Sequence, residues 1–276
     1  MRLKEDRQVK TMLTKSLAGN ARGLFLLSIA GALLTAASAA ASAQVVPLAP
    51  RWLAGTPPPP VETFADGLTR HHIDLTETAL KAALADPDGE VRSLAVAQLA
   101  AMDDHPALTA ILDALDAEPD LQVQVNLAGA ATWLGSNRAL DRLQRLCQNL
   151  NVPSTTRLDA ARYVSNKELP TCFSAVEQIE QAEQDASIRV LALEAAVIYR
   201  GQRDRAQALA VSALADRDPT VRIAAVEALR FLRATGAVDA LGRALQVEGD
   251  DTAREHMRTA IRALRAAVAE KNAENN

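Results

Sequence analysis

Residues 86–99 read DPDGEVRSLAVAQL, and residues 216–229 read DRDPTVRIAAVEAL. Both place an acid six residues ahead of an arginine, an apolar residue just before that arginine, and small apolar residues after it. A motif that returns at a fixed period constrains a fold more than any composition does, because each copy must be one structural unit stacked on the next. Anchored on the arginine, the copies fall at Arg92, Gln122, Arg157, Arg189, Arg222 and Arg254, at intervals of 30, 35, 32, 33 and 32 residues. The acid position reads Asp86, Asp116, Asn151, Glu183, Asp216 and Glu248. Apolar residues one before, three after and seven after the anchor form one helical stripe. Such a period holds two helices per unit.

The reading is therefore all-α: a right-handed α-solenoid of about six two-helix repeats. The units span residues 74–102, 106–134, 138–165, 170–200, 203–233 and 237–271. Pro106 and Pro170 open first helices, where a missing N–H costs nothing. Gly135, Gly201 and Gly236 follow second helices, where chains leave the helix. Aromatic residues make up only 3% of a chain that is 49% hydrophobic. A core of Ala, Leu and Val suits closely approaching helices better than a sheet. In this frame the turn acid faces an arginine of the neighbouring unit, giving a structural ladder of Asp86, Arg92, Glu183, Arg189, Asp216, Arg222, Glu248 and Arg254.

Four segments are expected. Residues 1–43 carry a basic lead, an apolar run from Leu24 to Ala40 and an Ala-x-Ala end, the pattern of a secretory signal peptide. Residues 44–73 include four consecutive prolines, 57–60, which favour an extended spacer. Residues 74–271 form the repeat array, and 272–276 a disordered tail. Cleavage after Ala43 removes six Lys/Arg and two Asp/Glu, taking the formal charge from −4 to −8. The expected location is periplasmic or secreted, with membrane contact only through an uncleaved signal. An acidic exported chain is a poor partner for nucleic acid, whose phosphates select basic patches.

The acid-x5-arginine joint on a two-helix unit of this period resembles HEAT repeats. The two quoted stretches look most like the bacterial HEAT-like class first noted in phycobilisome lyases. Residues 74–271 carry the resemblance, with departures at Gln122, Asn151 and Pro153. It implies that the second helix of each pair lines a concave surface. Outward positions one and five after the anchor then form a protein-binding face of Val123, Leu127, Leu158, Arg162, Val190, Glu194, Ile223 and Glu227. HEAT-like hydroxylases use His-Glu pairs, which this chain lacks.

Catalytic signals are missing from the sequence. His71, His72, His105 and His256 lack metal-ligand spacing, and neither nucleophile elbow nor phosphate loop is present. The expectations are no catalytic residues, no metal and no cofactor. Trp133, Tyr199 and Phe231 lie near the ends of second helices and read as packing residues. Cys147 and Cys172 lie ten and seventeen residues before their anchors, about 10 Å out of register along parallel helices, which argues against a disulfide. The function expected is a non-enzymatic exported scaffold that binds protein partners. The alternative is a lyase- or chaperone-like repeat protein acting on a protein or a small-molecule cofactor.

Overall fold

The computed structural model describes residues 63–167 and 169–274. The expected signal peptide, most of the proline-rich spacer and the last two residues lie outside the described residues. Among these no strand occurs and no helix is long and apolar enough to cross a membrane. The chain divides into two compact units, one ending at Met102 and the other beginning at Asp103.

Among the described residues the first unit holds three helices. Helix α1 (Phe64–Arg70) falls inside the span read from sequence as spacer. Thr63 caps it reciprocally with Asp66, and Leu68 is fully buried, so four residues beyond the proline run the chain has both a start signal and an apolar anchor. Helix α2 (Glu77–Ala83) starts at a Thr76 cap, and α3 (Gly89–Ala101) at an Asp88 cap. Both α1 and α2 pack on α3, which buries seven of its residues, among them Leu94 and Leu99.

The second unit is a run of helical hairpins: α4 (Leu108–Ala117) with α5 (Leu121–Trp133), α6 (Asn137–Gln148) with α7 (Ser154–Tyr163), α8 (Pro170–Ala182) with α9 (Ala186–Ala196), α10 (Arg203–Ala213) with α11 (Pro219–Phe231), and α12 (Val238–Val247) with α13 (Asp251–Glu274). The second helices pack in series, α5 on α7, α7 on α9, α9 on α11 and α11 on α13. This is the stacking of an α-solenoid, in which each unit completes the core of its neighbour. The seam is built from residues such as Val125, Ala128, Ala160, Ala192, Ala225 and Met257, each fully buried. Small side chains there allow close helix approach.

Two sequence expectations change. The second anchor is Gln124, not Gln122. Gln124 Nε2 donates to Glu118 O at 2.8 Å, six residues back, as Arg92 Nη1 donates to Asp86 O at 2.8 Å and Arg222 Nη1 to Asp216 O at 2.9 Å. The amide keeps the hydrogen bond and drops the charge. With Gln124 the intervals become 32, 33, 32, 33 and 32 residues.

The second change concerns the cysteines. Cys147 and Cys172 form a disulfide with Cα atoms 5.6 Å apart. The parallel, in-register packing assumed from sequence fails for α6 and α8. The last turn of α6 meets the first turn of α8, where Gln144 Nε2 also reaches Thr171 Oγ1 at 3.2 Å. These first helices contact each other directly.

Candidate functional site

Five of the hairpin turns are built the same way. An aspartate four residues before the anchor caps the second helix: Asp88, Asp120, Asp185, Asp218 and Asp250 each accept a backbone N–H from its first turn. Pro153 takes this place in α7 and caps nothing with a side chain. In three turns of the second unit the acid six before the anchor accepts the backbone N–H of the capping aspartate: Glu118 from Asp120, Asp216 from Asp218 and Glu248 from Asp250. That acid is not itself the cap; the cap stands two residues later.

The anchor arginine then joins one hairpin to the next. Arg189 grips Asp216 with two hydrogen bonds of 2.9 Å while Nη1 holds Glu183 O and Gln184 O of its own turn. Arg222 grips Glu248 in the same way, at 2.6 Å twice. Arg189 and Glu248 are buried. The hydrogen bonds from Arg222 and burial act in opposite directions on Glu248, and the former win, so its carboxyl sits below the usual range. For Asp216 burial raises the carboxyl, and the bonds from Arg189 and from Asp218 N outweigh it. Arg92 closes its own turn on Asp86 O and Pro87 O, and Arg254 closes its own on Glu248 O. At the degraded joint, Arg157 donates to Cys147 O and to Gln178 instead.

With Gln124 as the frame, the solvent-facing stripe of the second helices runs through positions two before, two after, five after and nine after the anchor, the i, i+4, i+7, i+11 pattern of one face. Arg162, Glu194 and Glu227 lie on it. Val123, Leu127 and Leu158 do not: their exposures are 5%, 0% and 1%, so they belong to the core and offer a partner nothing. Val123 and Leu127 were placed by an anchor two residues early. Leu158 fails because position one is turned one residue, about 100°, away from the open stripe. Val190 and Ile223, at the same position, are half-buried at its edge.

The residues that the sequence reading missed are those at position two. Asp159, half-buried on α7, accepts from Gln122 Nε2 at 2.9 Å across to α5 and lies 3.6 Å from Arg162. Gln122 also accepts from Thr156 Oγ1 at 3.0 Å. Arg162 continues the chain to α9, donating to Glu194 and to Leu191 O, each at 3.3 Å. A polar line thus crosses three second helices: Gln122, Asp159, Arg162, Glu194. Burial holds the Asp159 carboxyl above the usual range despite Arg162 and Gln122. Beside this line the Tyr163 hydroxyl meets Asn126 Oδ1 at 3.3 Å, and burial pushes its ionisation far up. Further along, Glu227 holds His256 Nδ1 at 2.8 Å on α13 and Arg230 at 2.6 Å. The signal for all of these was the helical period itself, once counted from Gln124.

At position nine the stripe ends on apolar residues. Trp133 is 42% and Phe231 69% exposed. Tyr199 differs: it is buried, donates to Ala161 O at 2.6 Å and stacks edge-on to Phe173 at 5.2 Å. Of the three aromatics read as packing residues, only Tyr199 packs. Among the described residues no group of three or more His, Cys, Asp or Glu side chains could hold a metal ion.

The model of the HEAT repeats family matches residues 76–164. No curated protein matches the chain. Among solved structures, the crystal structure of an engineered protein from the Northeast Structural Genomics Consortium is similar at 20% identity and a TM-score of 0.39, covering 68% of this chain and 95% of that one. Over residues 76–164, about a third of its length, the chain is therefore similar to HEAT repeats.

Proposed function

We propose that the chain is an exported, non-enzymatic scaffold of six HEAT-like repeats in a right-handed array, which binds a protein partner on the concave face formed by its second helices. The observation that carries this reading is the polar line Gln122–Asp159–Arg162–Glu194. It leaves Glu194, whose side chain is 49% exposed, and the exposed Trp133 and Phe231 in one array of open positions. Aromatic and arginine side chains on a rigid surface are the usual anchors of protein recognition, and HEAT repeats commonly mediate such recognition. Export, with cleavage after Ala43 and a periplasmic or secreted destination, is supported by the disulfide, because such bonds persist in oxidising compartments.

The test is crosslinking capture with the full chain expressed in its own compartment, compared with Arg162→Glu and Glu194→Arg variants and with the double reversal. Loss of the same partner in each single variant supports the face, and recovery in the double variant shows that the pair is read as a unit. Unchanged capture in all three sinks it. Sequencing of the mature N-terminus tests the processing: a start at Gln44 supports export, and a start at Met1 or Met12 counts against it.

A further inference from the structure

The last second helix breaks the repeat pattern on one face. Four residues after the anchor, the second helices of the second unit carry Ala128, Ala161, Leu193, Val226 and Arg258. The first four are at most 1% exposed, because the following hairpin stacks over them. Arg258 on α13 has no hairpin over it among the described residues, and its side chain is 55% exposed. An arginine in this place does not suit another hairpin of the same kind, which would bury its charge against an apolar seam.

Arg258 belongs to a stripe. Arg254, Arg258, Arg262 and Arg265 fall at i, i+4, i+8 and i+11, on one side of α13; Arg254 is half-buried and the others are exposed. In a chain of net charge −4, these arginines meet only Asp251 and Glu255 of their own helix. Like charges four residues apart on a helix repel, and folding gains nothing from them here. Arg254 also departs from its equivalents. Arg189 and Arg222 each give Nε and Nη2 to a carboxylate of the following hairpin. Arg254 donates within its own hairpin, to Glu248 O and to the exposed Asp251, and no other hairpin supplies it with a carboxylate. Beside the stripe runs a shallow groove lined by Leu245 of α12 and by Glu255, Arg258, Ile261 and Arg262 of α13, an apolar strip next to guanidinium groups.

We infer that this end face of the array docks an acidic amphipathic helix of a protein partner, laid along α13 where a further hairpin would stack. Its apolar residues meet Leu245 and Ile261, and its carboxylates meet Arg258, Arg262 and Arg265. One carboxylate takes the Arg254 fork, as Glu248 takes that of Arg222. Charge selects this occupant. A second copy of the face would bring arginines against arginines. A polynucleotide would meet the guanidinium groups but offers no apolar side chain to Leu245 and Ile261. The stripe lies on the side of α13 away from His256, which meets Glu227 of α11. It contains none of Arg162, Glu194, Trp133 or Phe231, so docking here and capture on the open face of the second helices succeed or fail separately.

The experiment measures fluorescence anisotropy of labelled peptides titrated with the full chain. The probe is a designed helical peptide with a leucine stripe flanked by glutamates, and its control carries glutamine at every glutamate. The glutamate peptide is expected to bind about tenfold more tightly than the control, with an affinity that falls as salt rises. The double variant Arg258→Glu, Arg262→Glu, in which both changes are exposed, should weaken it by about tenfold, with the helical circular dichroism unchanged. Arg203→Glu, an exposed arginine on α10, should leave it unaltered. Absence of binding, equal binding of the two peptides, an equal loss with Arg203→Glu, or undiminished binding in the double variant overturns the assignment. So does a single-stranded oligonucleotide that binds the same arginines more tightly than the peptide, or a sedimenting dimer that the double variant dissolves.

Discussion

Arg222 closes two turns with one side chain: its Nη1 holds Asp216 O of its own hairpin, while Nε and Nη2 take both oxygens of Glu248 in the next. The Glu248 side chain is 2% exposed, so removing Arg222 strands a buried carboxylate. Arg222→Ala is expected to cost about 3 kcal/mol by denaturant unfolding. Arg222→Lys should recover only part of this, since a point charge cannot make the two-pronged bond. A double-mutant cycle with Glu248→Gln should give a coupling well above that of an exposed pair, and a coupling near zero would place the stability elsewhere.

Acid should loosen the stack from this same joint. The carboxyls of Glu248 and Asp216 are held below their usual range, so the folded state binds fewer protons than the unfolded one. Their contribution is complete above the ordinary carboxylate range, near pH 4 to 4.5, and is lost as pH falls through the depressed folded values. Glu180 acts with the opposite sign. Its carboxyl is raised to about 7, so stability declines as pH rises from about 4.5 and levels off above about 7. Glu180→Gln should abolish that decline and stabilise the protein at pH 8 by on the order of 2 kcal/mol, measured by thermal unfolding across this window.

The Cys147–Cys172 bridge closes a segment with a sequence separation of 25. Reduction, or replacement of both cysteines by serine, should lower stability by about 3 kcal/mol. Intact protein titrated with a thiol reagent under denaturing conditions should show no free thiol before reduction. One or two thiols without reduction would mean that the bridge is not formed.

Gly129 is a glycine for a reason of space. A Cβ built on it would lie 2.4 Å from Cε1 of Tyr163. Gly129→Ala is expected to cost about 2 kcal/mol by overpacking, and Tyr163→Ala in the same chain should remove most of that clash. An additive double variant would show that the ring does not press on this helix.

How much of this was legible depends on what each residue had to do. The hairpins were readable because their period repeats and because Asp, Pro and Gly punctuate it. Gln124 was not, because Gln122 and Gln124 each follow an acid by six residues, Asp116 and Glu118, and the copy was aligned on the wrong pair. Once the anchor slipped by two residues, Val123 and Leu127 were drawn out of the core by arithmetic alone. Asp159 and His256 were missed for a related reason: one position around a helix decides between solvent and seam, and a pattern of small residues does not mark which. The disulfide was hidden because the meeting of the last turn of α6 with the first turn of α8 is a property of their packing, not of the spacing along the chain.

The double grip of Arg189 and Arg222 has a consequence for the way the molecule comes apart. A hairpin whose turn is fastened by the same guanidinium that holds its neighbour cannot fray alone. Opening either turn releases the other, so from Glu183 to Glu248 the hairpins are bound to melt together, like links that share a pin. Arg157 makes the same double grip without a carboxylate, holding Cys147 O of its own hairpin and Gln178 of the next, and the covalent bridge between α6 and α8 adds a second fastening there.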